Sequence, residues 1–286
     1  LDIGSNDGTL LKAYPSGPAE LIGIDPSGEQ FRKYYPQNIS LIADFFSAKA
    51  LGDRFGRRKA KAVTSIAMFY DLDSPLDFVK EVAGVLAEDG VWLCEQSYLP
   101  TMIERNAYDT VCHEHLEYYA LRQIKWMTDR AGLKIVDFSL NAVNGGSFSF
   151  MAARESAPYP ECSAVLEAAL RAESSYSQDV PYASFRDNVM RHREEILAFL
   201  KKAQSDGKKT LGYGASTKGN VILQFCGLTP KELPRIGEVN SDKFGSFTPG
   251  TLIPIVPEEE VRAEKPDYLF VLPWHFKDFI LEKEAG

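Results

Sequence analysis

The sequence has no excess of basic residues, no long apolar run and no paired cysteines, and each absence excludes a class of protein. A formal net charge of -8 argues against nonspecific binding to a nucleic-acid backbone, because no broad basic surface is evident. No apolar run approaches the length that crosses a bilayer, and no segment resembles a secretion signal. The four cysteines form no CxxC pair, so neither a disulfide framework nor a thiolate zinc site is expected. We therefore expect a cytoplasmic protein without nucleic-acid or membrane partners, either a monomer or a weak homodimer.

What is present is typical of a globular protein. The chain has 286 residues, of which 44% are hydrophobic, enough for two modest domains with a core each. It begins with "LDI", which is short for a buried strand that precedes a glycine turn. We interpret this segment as a strand cut in its middle and expect the protein to continue upstream.

The first half opens with a strand, a glycine turn and an acid. "LDIGSNDGTLL" joins an apolar strand to a helix through Gly4 and Gly8, and "ELIGIDPS" gives a second buried strand, Leu21 to Ile24, followed by Asp25. This pattern predicts a βαβ unit in a parallel sheet. Glycines let the backbone approach a ligand, and a carboxylate at the tip of the next strand can accept both hydroxyls of a ribose.

The charges of this turn favour a cationic or zwitterionic ligand. The spacing is G-x-x-x-G, with Asp2 and Asp7 beside it, whereas a dinucleotide pyrophosphate favours G-x-G-x-x-G with little negative charge nearby. S-adenosylmethionine, with its sulfonium and ammonium groups, fits these charges. The alternatives are an NAD-dependent enzyme, which the acidic turn disfavours, and a glycine turn that binds nothing. The cofactor-binding candidates lie at the carboxyl ends of strands, and they are Asp2, Gly4, Asn6, Gly8, Asp25, Asp44, Phe45 and Met68.

The strands and helices that follow continue the α/β pattern. "ISLIADFF" predicts a third strand that ends near Asp44, "AVTSIAMFYDLDSP" a fourth, and "VWLCEQSYL" a fifth. "PLDFVKEVAGVLAEDG" predicts an amphipathic helix that Gly90 ends. Further on, Gly132 separates a predicted helix from another strand. His192 lies in the charged run "RHREE", which predicts a solvated face.

Several ungapped blocks together resemble the sugar C-methyltransferases. These blocks are "DIGSNDGTLL", "GIDPS", "SIAMFYDL", "CHEHLEYY", "NGGSF" and "GYGASTKGN", and they span essentially the whole chain. The resemblance implies a class I enzyme that uses S-adenosylmethionine to methylate a ring carbon of a nucleotide-linked deoxysugar. Members usually carry an N-terminal zinc-binding domain with clustered cysteines, which this sequence lacks, so no metal site is predicted.

The segment "HEHLEYY", His113 to Tyr119, has three possible interpretations. Zinc-binding helices use H-E-x-x-H, whereas these histidines are two residues apart and no cysteine or acid cluster completes a ligand set. A helix N-terminus also contains His and Glu merely for hydrogen bonding. We favour a catalytic interpretation because two of the four histidines of the protein lie here beside two tyrosines.

Methylation of carbon requires a base and a group that stabilises an enolate oxygen. Neutral imidazole suits the removal of the proton next to a ketone, a phenol or second imidazole can donate to the oxyanion, and a carboxylate can orient the base. The resemblance implies that Glu114 and His115 match a Tyr-x-Glu-His group, with Cys112 in place of the tyrosine. The catalytic candidates are therefore His115 as base, Glu114 as its orienter or a substrate ligand, and His113, Tyr70 and Tyr118 in support.

The second half contains candidates for substrate binding. "VNGGSFSFMAARES" predicts a glycine bend before a strand, which is either a simple hairpin turn or a set of N–H donors for the ligand. "KKTLGYGASTKGNVILQF" predicts a second strand, glycine loop and helix, where the residues after the strand can hold the diphosphate of a nucleotide sugar. "PDYLFVLPWHFKDFI" predicts a strand that leads to a possible wall of the sugar pocket. The candidates are Asn144, Gly145, Gly146, Tyr213, Gly214, Ser216, Thr217, Lys218, Asn220 and His275.

Together these patterns predict an α/β protein. A class I methyltransferase Rossmann-like sheet (residues 1–155) precedes a helical linker (156–206) and a smaller Rossmann-like α/β domain that binds the nucleotide sugar (207–286). The predicted reaction is methyl transfer from S-adenosylmethionine to a ring carbon of a nucleotide-linked 4-keto-deoxysugar through an enolate. The alternatives are an O- or N-methyltransferase and a nucleotide-sugar-binding protein without activity.

Overall fold

The computed structural model describes residues 1–15 and 17–284, which form two compact units. The first unit contains Leu1–Thr101 and Leu116–Ser177, and the second contains Met102–His115 and the described residues from Gln178 onward. Each unit has its own sheet and its own hydrophobic core. In the described part of the chain, no helix is both long enough and apolar enough to span a membrane.

The first unit is built on a seven-stranded sheet in the order β3-β2-β1-β4-β5-β7-β6. Strands β1 to β5 are parallel, and β7 is antiparallel to both of its neighbours. The strands are β1 (Asp2–Ile3), β2 (Leu21–Ile24), β3 (Ile39–Ile42), β4 (Ala60–Ile66), β5 (Leu86–Ser97), β6 (Leu133–Asn141) and β7 (Ser147–Arg154). The second strand has the bounds that the sequence predicts.

Helices of the first unit follow the strands. They are α1 (Thr9–Lys12), α2 (Gly28–Phe31), α3 (Ala48–Phe55), α4 (Pro75–Val85), α6 (Leu121–Arg130) and α7 (Ser163–Ala172), while α5 (Leu99–Glu104) begins in this unit and ends in the second. Helix α4 buries Phe78, Val82 and Val85 as its period predicts. Phe78 packs against Phe69 and Trp92, and these three rings form the aromatic centre of the core.

The prediction that Gly90 ends helix α4 is wrong. The helix ends at Val85, and β5 begins immediately with Leu86 and includes Gly90. A Cβ at Gly90 would lie 2.6 Å from the carbonyl oxygen of Ala60, beside an irregularity in the pairing of β4 with β5. This glycine therefore permits a close approach of two strands rather than a helix terminus.

The second unit has a four-stranded parallel sheet in the order β10-β9-β8-β11. Its elements are α8 (Asp179–Ser205), β8 (Thr210–Tyr213), α9 (Thr217–Cys226), β9 (Ile236–Glu238), β10 (Ile255–Pro257), α10 (Glu258–Ala263), β11 (Tyr268–Val271) and α11 (Lys277–Glu284). The predicted strand, glycine loop and helix are thus present. An α/β fold with a large, mostly parallel sheet and a smaller second sheet confirms the predicted fold class.

The packing divides the chain differently from the sequence-based boundaries. Residues 102–115, which the sequence places in the first domain, belong to the second unit, where Tyr108 is buried with Leu223 of α9. The predicted linker, residues 156–206, is also shared, because Leu166 of α7 packs in the first core and Ile196 of α8 in the second. Each helix has an apolar stripe, so each is drawn into the core that it covers.

Candidate functional site

The first glycine turn has a backbone that only glycine adopts without strain. Gly4 and Gly8 have φ angles of 72° and 73°, in the left-handed region. A Cβ at Gly4 would lie 3.1 Å from Cγ of Met68, and a Cβ at Gly8 would lie 3.0 Å from Cζ of Tyr35. The turn therefore forms a cradle that a side chain would fill.

Asp25 closes this turn at the tip of β2. One carboxylate oxygen accepts the N–H of Asn6 at 2.8 Å, and the other accepts the N–H of Ser27 at 2.7 Å and its hydroxyl at 2.5 Å. The side chain is 7% exposed. A carboxylate has about four acceptor sites, so Asp25 can still accept a hydroxyl. The predicted place of the acid is thus confirmed, while its ribose contact stays a prediction.

Asp2 lies below the turn as a buried group. Its carboxylate accepts the hydroxyl of Thr64 at 2.6 Å. Burial raises the pKa of Asp2, and the nearby charge of Asp25 raises it further, while the Thr64 hydrogen bond opposes both. Burial therefore makes the ionised form of Asp2 less favourable than it would be at an exposed position.

Sequence reasoning did not find Tyr35, which supports the turn from the side. Its hydroxyl lies 2.8 Å from Oγ of Ser5 and 2.9 Å from the carbonyl oxygen of Asn6. Burial raises the pKa of Tyr35, so the phenol stays protonated and able to donate. The contact spans 30 residues, and no local pattern in "RKYYPQN" indicates it.

The other predicted cofactor residues follow β3 and β4. Asp44 accepts the N–H of Phe45 at 2.7 Å, and the Phe45 side chain is 75% exposed. Ala67 has a φ of 53°, which directs the chain so that Met68 faces Gly4. A glycine cradle, an acceptor for hydroxyls and an exposed ring are groups that fit S-adenosylmethionine, and all belong to the first unit.

Two buried polar side chains of the first unit have no partner among the described residues. Both amide atoms of Gln96, near the end of β5, and the hydroxyl of Tyr119 are buried without a hydrogen bond. Neither residue is among the candidates predicted from the sequence. Because such groups cost free energy when buried alone, they indicate a position that a water or ligand group would satisfy.

His115 lies in the second unit, in a turn held by Thr110. Nδ1 of His115 lies 2.8 Å from the carbonyl oxygen of Thr110, and its backbone N–H donates to the carbonyl of Cys112. Because a carbonyl oxygen only accepts, Nδ1 carries the proton and Nε2 carries the lone pair of the neutral ring. The imidazole therefore has the tautomer of a base that acts through Nε2.

The surroundings of His115 favour its neutral form. Burial lowers the pKa of His115, and the positive charge of Lys218 lowers it further, against the hydrogen bond to Thr110 and the charge of Glu114. Burial also lowers the pKa of Lys218, while the charge of Asp109 opposes this effect. These residues form a group of charges inside the second unit.

Asp109, which sequence reasoning missed, is at the centre of this group. Its side chain is 2% exposed and accepts the indole N–H of Trp274 at 2.7 Å. His275, a predicted substrate residue, lies beside it: burial lowers the pKa of His275, and the charge of Lys218 adds to this effect. Nδ1 of His275 is buried without a partner among the described residues. The hydrogen bond between Trp274 and Asp109 joins residues that are 165 positions apart, which explains why no local motif indicated it.

The structure corrects the predicted role of Glu114 as the orienter of His115. The Thr110 carbonyl takes that role, and Glu114 and His113 are both exposed. Tyr70 and Tyr118 are half-buried and belong to the first unit, where the N–H groups of Leu116 and Glu117 both donate to the Tyr70 carbonyl oxygen at 2.9 and 3.1 Å. The boundary between the units therefore falls inside HEHLEYY, after His115.

His192 is not simply part of a solvated face. Its Nδ1 lies 3.1 Å from the hydroxyl of Tyr108, and the two rings pack edge to face. Burial raises the pKa of Tyr108 far above its ordinary value. The prediction for His192 was wrong because residue 108 lies on a different segment that packs against α8.

The second glycine loop has the expected helix cap. Oγ of Ser216 accepts the N–H of Gly219 at 3.0 Å, Thr217 begins α9, and the N–H of Asn220 donates to the Ser216 carbonyl. Gly214 has a φ of 80°, and a Cβ there would lie 2.7 Å from Pro273. The loop therefore presents a helix N-terminus with Lys218 on its first turn.

Tyr213 and the residues of the "NGGSF" bend have structural contacts of their own. The Tyr213 hydroxyl donates to Glu284 at 3.1 Å and accepts from Lys283 at 3.1 Å. Asn144 has a φ of 54°, and Gly146 accepts the N–H of Tyr98 in the connection between antiparallel β6 and β7. The hairpin interpretation is thus confirmed for the bend, and its contact with a substrate stays a prediction. Across residues 1–15 and 17–284, no three His, Cys, Asp or Glu side chains are grouped to hold a metal ion.

Comparison with known proteins gives matches to methyltransferases along the whole chain. A family model described as the C-methyltransferase C-terminal domain matches residues 142–286, and a methyltransferase domain model matches residues 1–137. The C-methyltransferase NovU of Streptomyces niveus is 29% identical over 287 residues, which cover 99% of this chain and 68% of NovU.

Solved structures overlap about half of the chain. LepI in complex with S-adenosylmethionine is 14% identical with a TM-score of 0.43, over 54% of this chain and 42% of LepI. The YcgJ protein from Bacillus subtilis is 14% identical with a TM-score of 0.40, over 54% of this chain and 90% of YcgJ.

Proposed function

The chain belongs to the C-methyltransferase family, and from that premise we propose that it methylates a ring carbon of a nucleotide-linked 4-keto-deoxysugar through an enolate. It is an S-adenosylmethionine-dependent C-methyltransferase, as its two family matches and its relative NovU show. The alternatives of an O- or N-methyltransferase, an NAD-dependent enzyme and an inactive binding protein are therefore set aside. The substrate and the enolate are the parts that we propose.

The hydrogen bond between Nδ1 of His115 and the carbonyl of Thr110 is the observation that carries the proposal. It leaves the lone pair on Nε2, and burial with the charge of Lys218 keeps the ring neutral near pH 7. We propose that Nε2 removes the proton from the carbon next to the ketone, which leaves an enolate with its charge on oxygen. His115 then holds the proton as an imidazolium.

An enolate oxygen requires a donor that is aimed at it. Tyr70, Tyr118 and His113 are the proposed donors, and Glu114, which is exposed, is proposed as a substrate ligand. Cys112 stands where the family's tyrosine falls, and a thiol is a weak donor. We therefore assign the stronger share of this stabilisation to the phenols.

The cofactor site belongs to the first unit. We propose that Gly4, Asn6 and Gly8 accommodate the amino-acid part of S-adenosylmethionine, that Asp25 accepts the ribose hydroxyls, and that Asp44, Phe45 and Met68 border the adenine. Asp2 of β1 accepts a hydrogen bond from Thr64 of β4, which holds these two strands together beside the cofactor site. The bound sulfonium supplies an electrophilic methyl group, and the residues of this chain position it.

The sugar nucleotide has a proposed site on the second unit. The N-terminus of α9, with Ser216, Thr217 and Lys218, offers N–H groups and one cation for a diphosphate. We further propose that His275 borders the sugar and that Gly214 permits the close approach of the diphosphate. The remaining predicted substrate residues, Tyr213, Asn220 and the bend Asn144–Gly146, make hydrogen bonds within the protein, and we propose that they border the substrate as well.

Incubation of the purified protein with S-adenosylmethionine and a panel of nucleotide 4-keto-6-deoxysugars, read by mass spectrometry, tests the substrate. We expect a mass gain of one methyl group on a member of the panel. In deuterated water without the methyl donor, we expect the ring hydrogen next to the ketone to exchange with solvent. Methylation with no exchange under any condition would contradict the enolate, and no methylation across the panel would contradict the substrate class.

A further inference from the structure

Asp109 is a buried carboxylate of the second unit that the proposed chemistry does not use. It lies in a single helical turn, Tyr108–Thr110, and its side chain is 2% exposed. Burial of a carboxylate is costly unless the group is hydrogen-bonded or compensated by a cation. The groups that face Asp109 therefore indicate why the chain has a carboxylate at this position.

The first partner of Asp109 is the indole of Trp274. Its Nε1–H donates to Oδ2 of Asp109 at 2.7 Å. Trp274 begins a helical turn that contains His275. Because the ring of His275 packs against those of Trp274 and Phe276, with centroids 6.1 and 4.3 Å apart, a fixed indole also restrains the imidazole. The hydrogen bond thus joins the segment after β11 to the segment that precedes His115.

The second partner of Asp109 is the charge of Lys218, which lies on the first turn of α9. Burial lowers the pKa of Lys218, and the charge of Asp109 is the strongest influence that raises it. Lys218 in turn adds to the effect of burial in lowering the pKa of His115 and of His275. A cation held away from water keeps its proton more readily beside a negative group, and Asp109 supplies that group.

The residue after Asp109 orients the proposed base. The carbonyl oxygen of Thr110 lies 2.8 Å from Nδ1 of His115 and also accepts the N–H of Cys112 at 3.0 Å. Thr110 is itself restrained, because its hydroxyl donates to the carbonyl of Ala107 at 2.8 Å and its side chain is buried. Since Asp109 directly precedes Thr110, its hydrogen bond to the indole restrains the turn from which His115 is oriented.

Further titratable groups approach Asp109 from two other segments. Arg105 and His192 line a cavity of about 390 Å³ that Asp109 also lines, and Arg105 is exposed. The negative groups that raise the pKa of Lys218 are Asp109 and, to a smaller extent, Cys112. Asp109 is therefore the stronger of the two groups that favour the charged form of Lys218.

We propose that Asp109 is a positioning residue of the methyl transfer. Through the Trp274 indole it holds His275 and the turn that orients His115. Through its charge it keeps Lys218 a cation at the N-terminus of α9. The two roles are separable, because asparagine at this position would keep an acceptor for the indole N–H but not the charge. The inference rests on the proposed function for the role of His115 as the base.

Nuclear magnetic resonance titration of the histidine rings in the full chain, without ligand, tests the charge of Asp109 independently of activity. The protein has four histidines, so each ring can be assigned by a single substitution. The charge of Asp109 opposes the effects of burial and of Lys218 on His275, so we expect Asp109→Asn to lower the pKa of His275 by about 0.5 or more. Asp187→Asn, at an exposed aspartate of α8, is the matched control and should leave that pKa in place. An unchanged pKa of His275 in Asp109→Asn would overturn the proposal.

The alkaline limb of the kcat/KM profile for a methylated sugar nucleotide tests the link to Lys218. Lys218 must be charged to hold a diphosphate, so activity is present below its folded-state pKa and is lost as the pH rises through it. Removal of the Asp109 charge lowers that pKa, so the alkaline limb of Asp109→Asn should move to lower pH with unchanged affinity for S-adenosylhomocysteine. Asp187→Asn should leave the limb in place. A residue that only supports the fold would lower activity without moving the limb, and that result would contradict the proposal.

Trp274→Phe tests the hydrogen bond separately. Phenylalanine keeps an aromatic ring but removes the indole N–H, so we expect KM for the sugar nucleotide to rise about tenfold while the alkaline limb stays in place. Thermal unfolding checks that each variant folds. If Asp109→Asn does not fold, Trp274→Phe still decides, because kcat and KM equal to those of the unsubstituted protein would overturn the positioning role.

The role of Asp109 and the proposed function fail in different ways. If a nucleotide sugar is methylated but neither the pKa of His275 nor the alkaline limb moves in Asp109→Asn, the role of Asp109 alone fails. If the pKa of His275 falls as expected but no sugar is methylated, the proposed function alone fails, since the titration of the rings requires no substrate.

Discussion

The two glycine loops of this protein share one topology and differ in charge. Around the first loop stand Asp2, Asp7 and Asp25, while the second combines Glu238 with Lys218 and Lys243. The same strand order therefore presents mainly acidic side chains at the first loop and side chains of both charges at the second. Strand order determines where a ligand binds, and the side chains of the loops determine which ligand charge is favoured.

The largest expected effect separates chemistry from cofactor binding. His115→Ala removes the proposed base from the second unit, and general bases contribute about 10²- to 10⁴-fold to rate. We expect kcat to fall by that factor while S-adenosylhomocysteine affinity, measured by calorimetry, stays unchanged. Val111→Ala, at an exposed residue of the same segment without an assigned role, is the control, and an equal loss in both variants would contradict the assignment of the base.

The next largest expected effect is a loss of cofactor affinity, which tests whether the first glycine turn is the cofactor site. Asp25→Ala removes the carboxylate that accepts the N–H of Asn6 and that is proposed to accept the ribose hydroxyls. Hydrogen bonds to charged groups contribute about 1.5–3 kcal/mol, so we expect affinity for S-adenosylhomocysteine to fall about 10- to 100-fold. The exposed Asp53→Ala on α3 serves as control. Unchanged affinity in Asp25→Ala would show that the first loop is not the cofactor site.

A smaller effect concerns polar atoms without partners. Within residues 1–15 and 17–284 neither amide atom of the buried Gln96 side chain has a hydrogen-bond partner. Gln96→Leu should therefore raise the free energy of unfolding by about 1–2 kcal/mol, and it should lower activity if a ligand uses the amide. Gln123→Leu is the contrasting variant, because the Gln123 side chain accepts the N–H of Ala120 at 3.1 Å. We expect that variant to lose stability in denaturant titration. A loss of stability in both would mean that Gln96 has a partner in solution.

The smallest expected effect is a shift in the pH dependence of activity, which we attribute to the charge of Lys218 after the second glycine loop. His115 must be neutral to act as a base, so activity is present above its folded-state pKa and is lost as the pH falls through it. Burial and then Lys218 hold that pKa below the usual 6.5. Lys218→Met removes the charge, so the acid limb of the kcat/KM profile should move to higher pH. Lys265→Met, at another lysine of the second unit, should leave the limb in place.

Local patterns predicted the elements and the first loop well. The strand Leu21–Ile24 and the acid after it are within one short apolar run, and Gly4 and Gly8 interrupt a similar run. In "RIGEVN" an acid, Glu238, likewise ends a short apolar strand, but no site residue was predicted there.

What local patterns missed depends on distant contacts. Asp109 and Trp274 are 165 residues apart, and Thr110 orients His115 through a backbone carbonyl, which carries no side-chain signal. Gly90 has a helix-ending sequence context but serves a close strand contact with Ala60. Such roles follow from packing that the chain reaches only after folding.

The boundary after His115 has a practical consequence for dividing the gene. Residues 102–115 insert Tyr108 into the core of the second unit, although the rest of that unit starts at Gln178. A truncated protein that begins at residue 142, where the family model for the C-terminal domain starts, lacks this insert. We expect such a fragment to expose the side chains of α8 and α9 that pack against Tyr108, such as Ile196 and Leu223. Expression of an independent C-terminal half would require residues 102–115 to be joined to it through a linker.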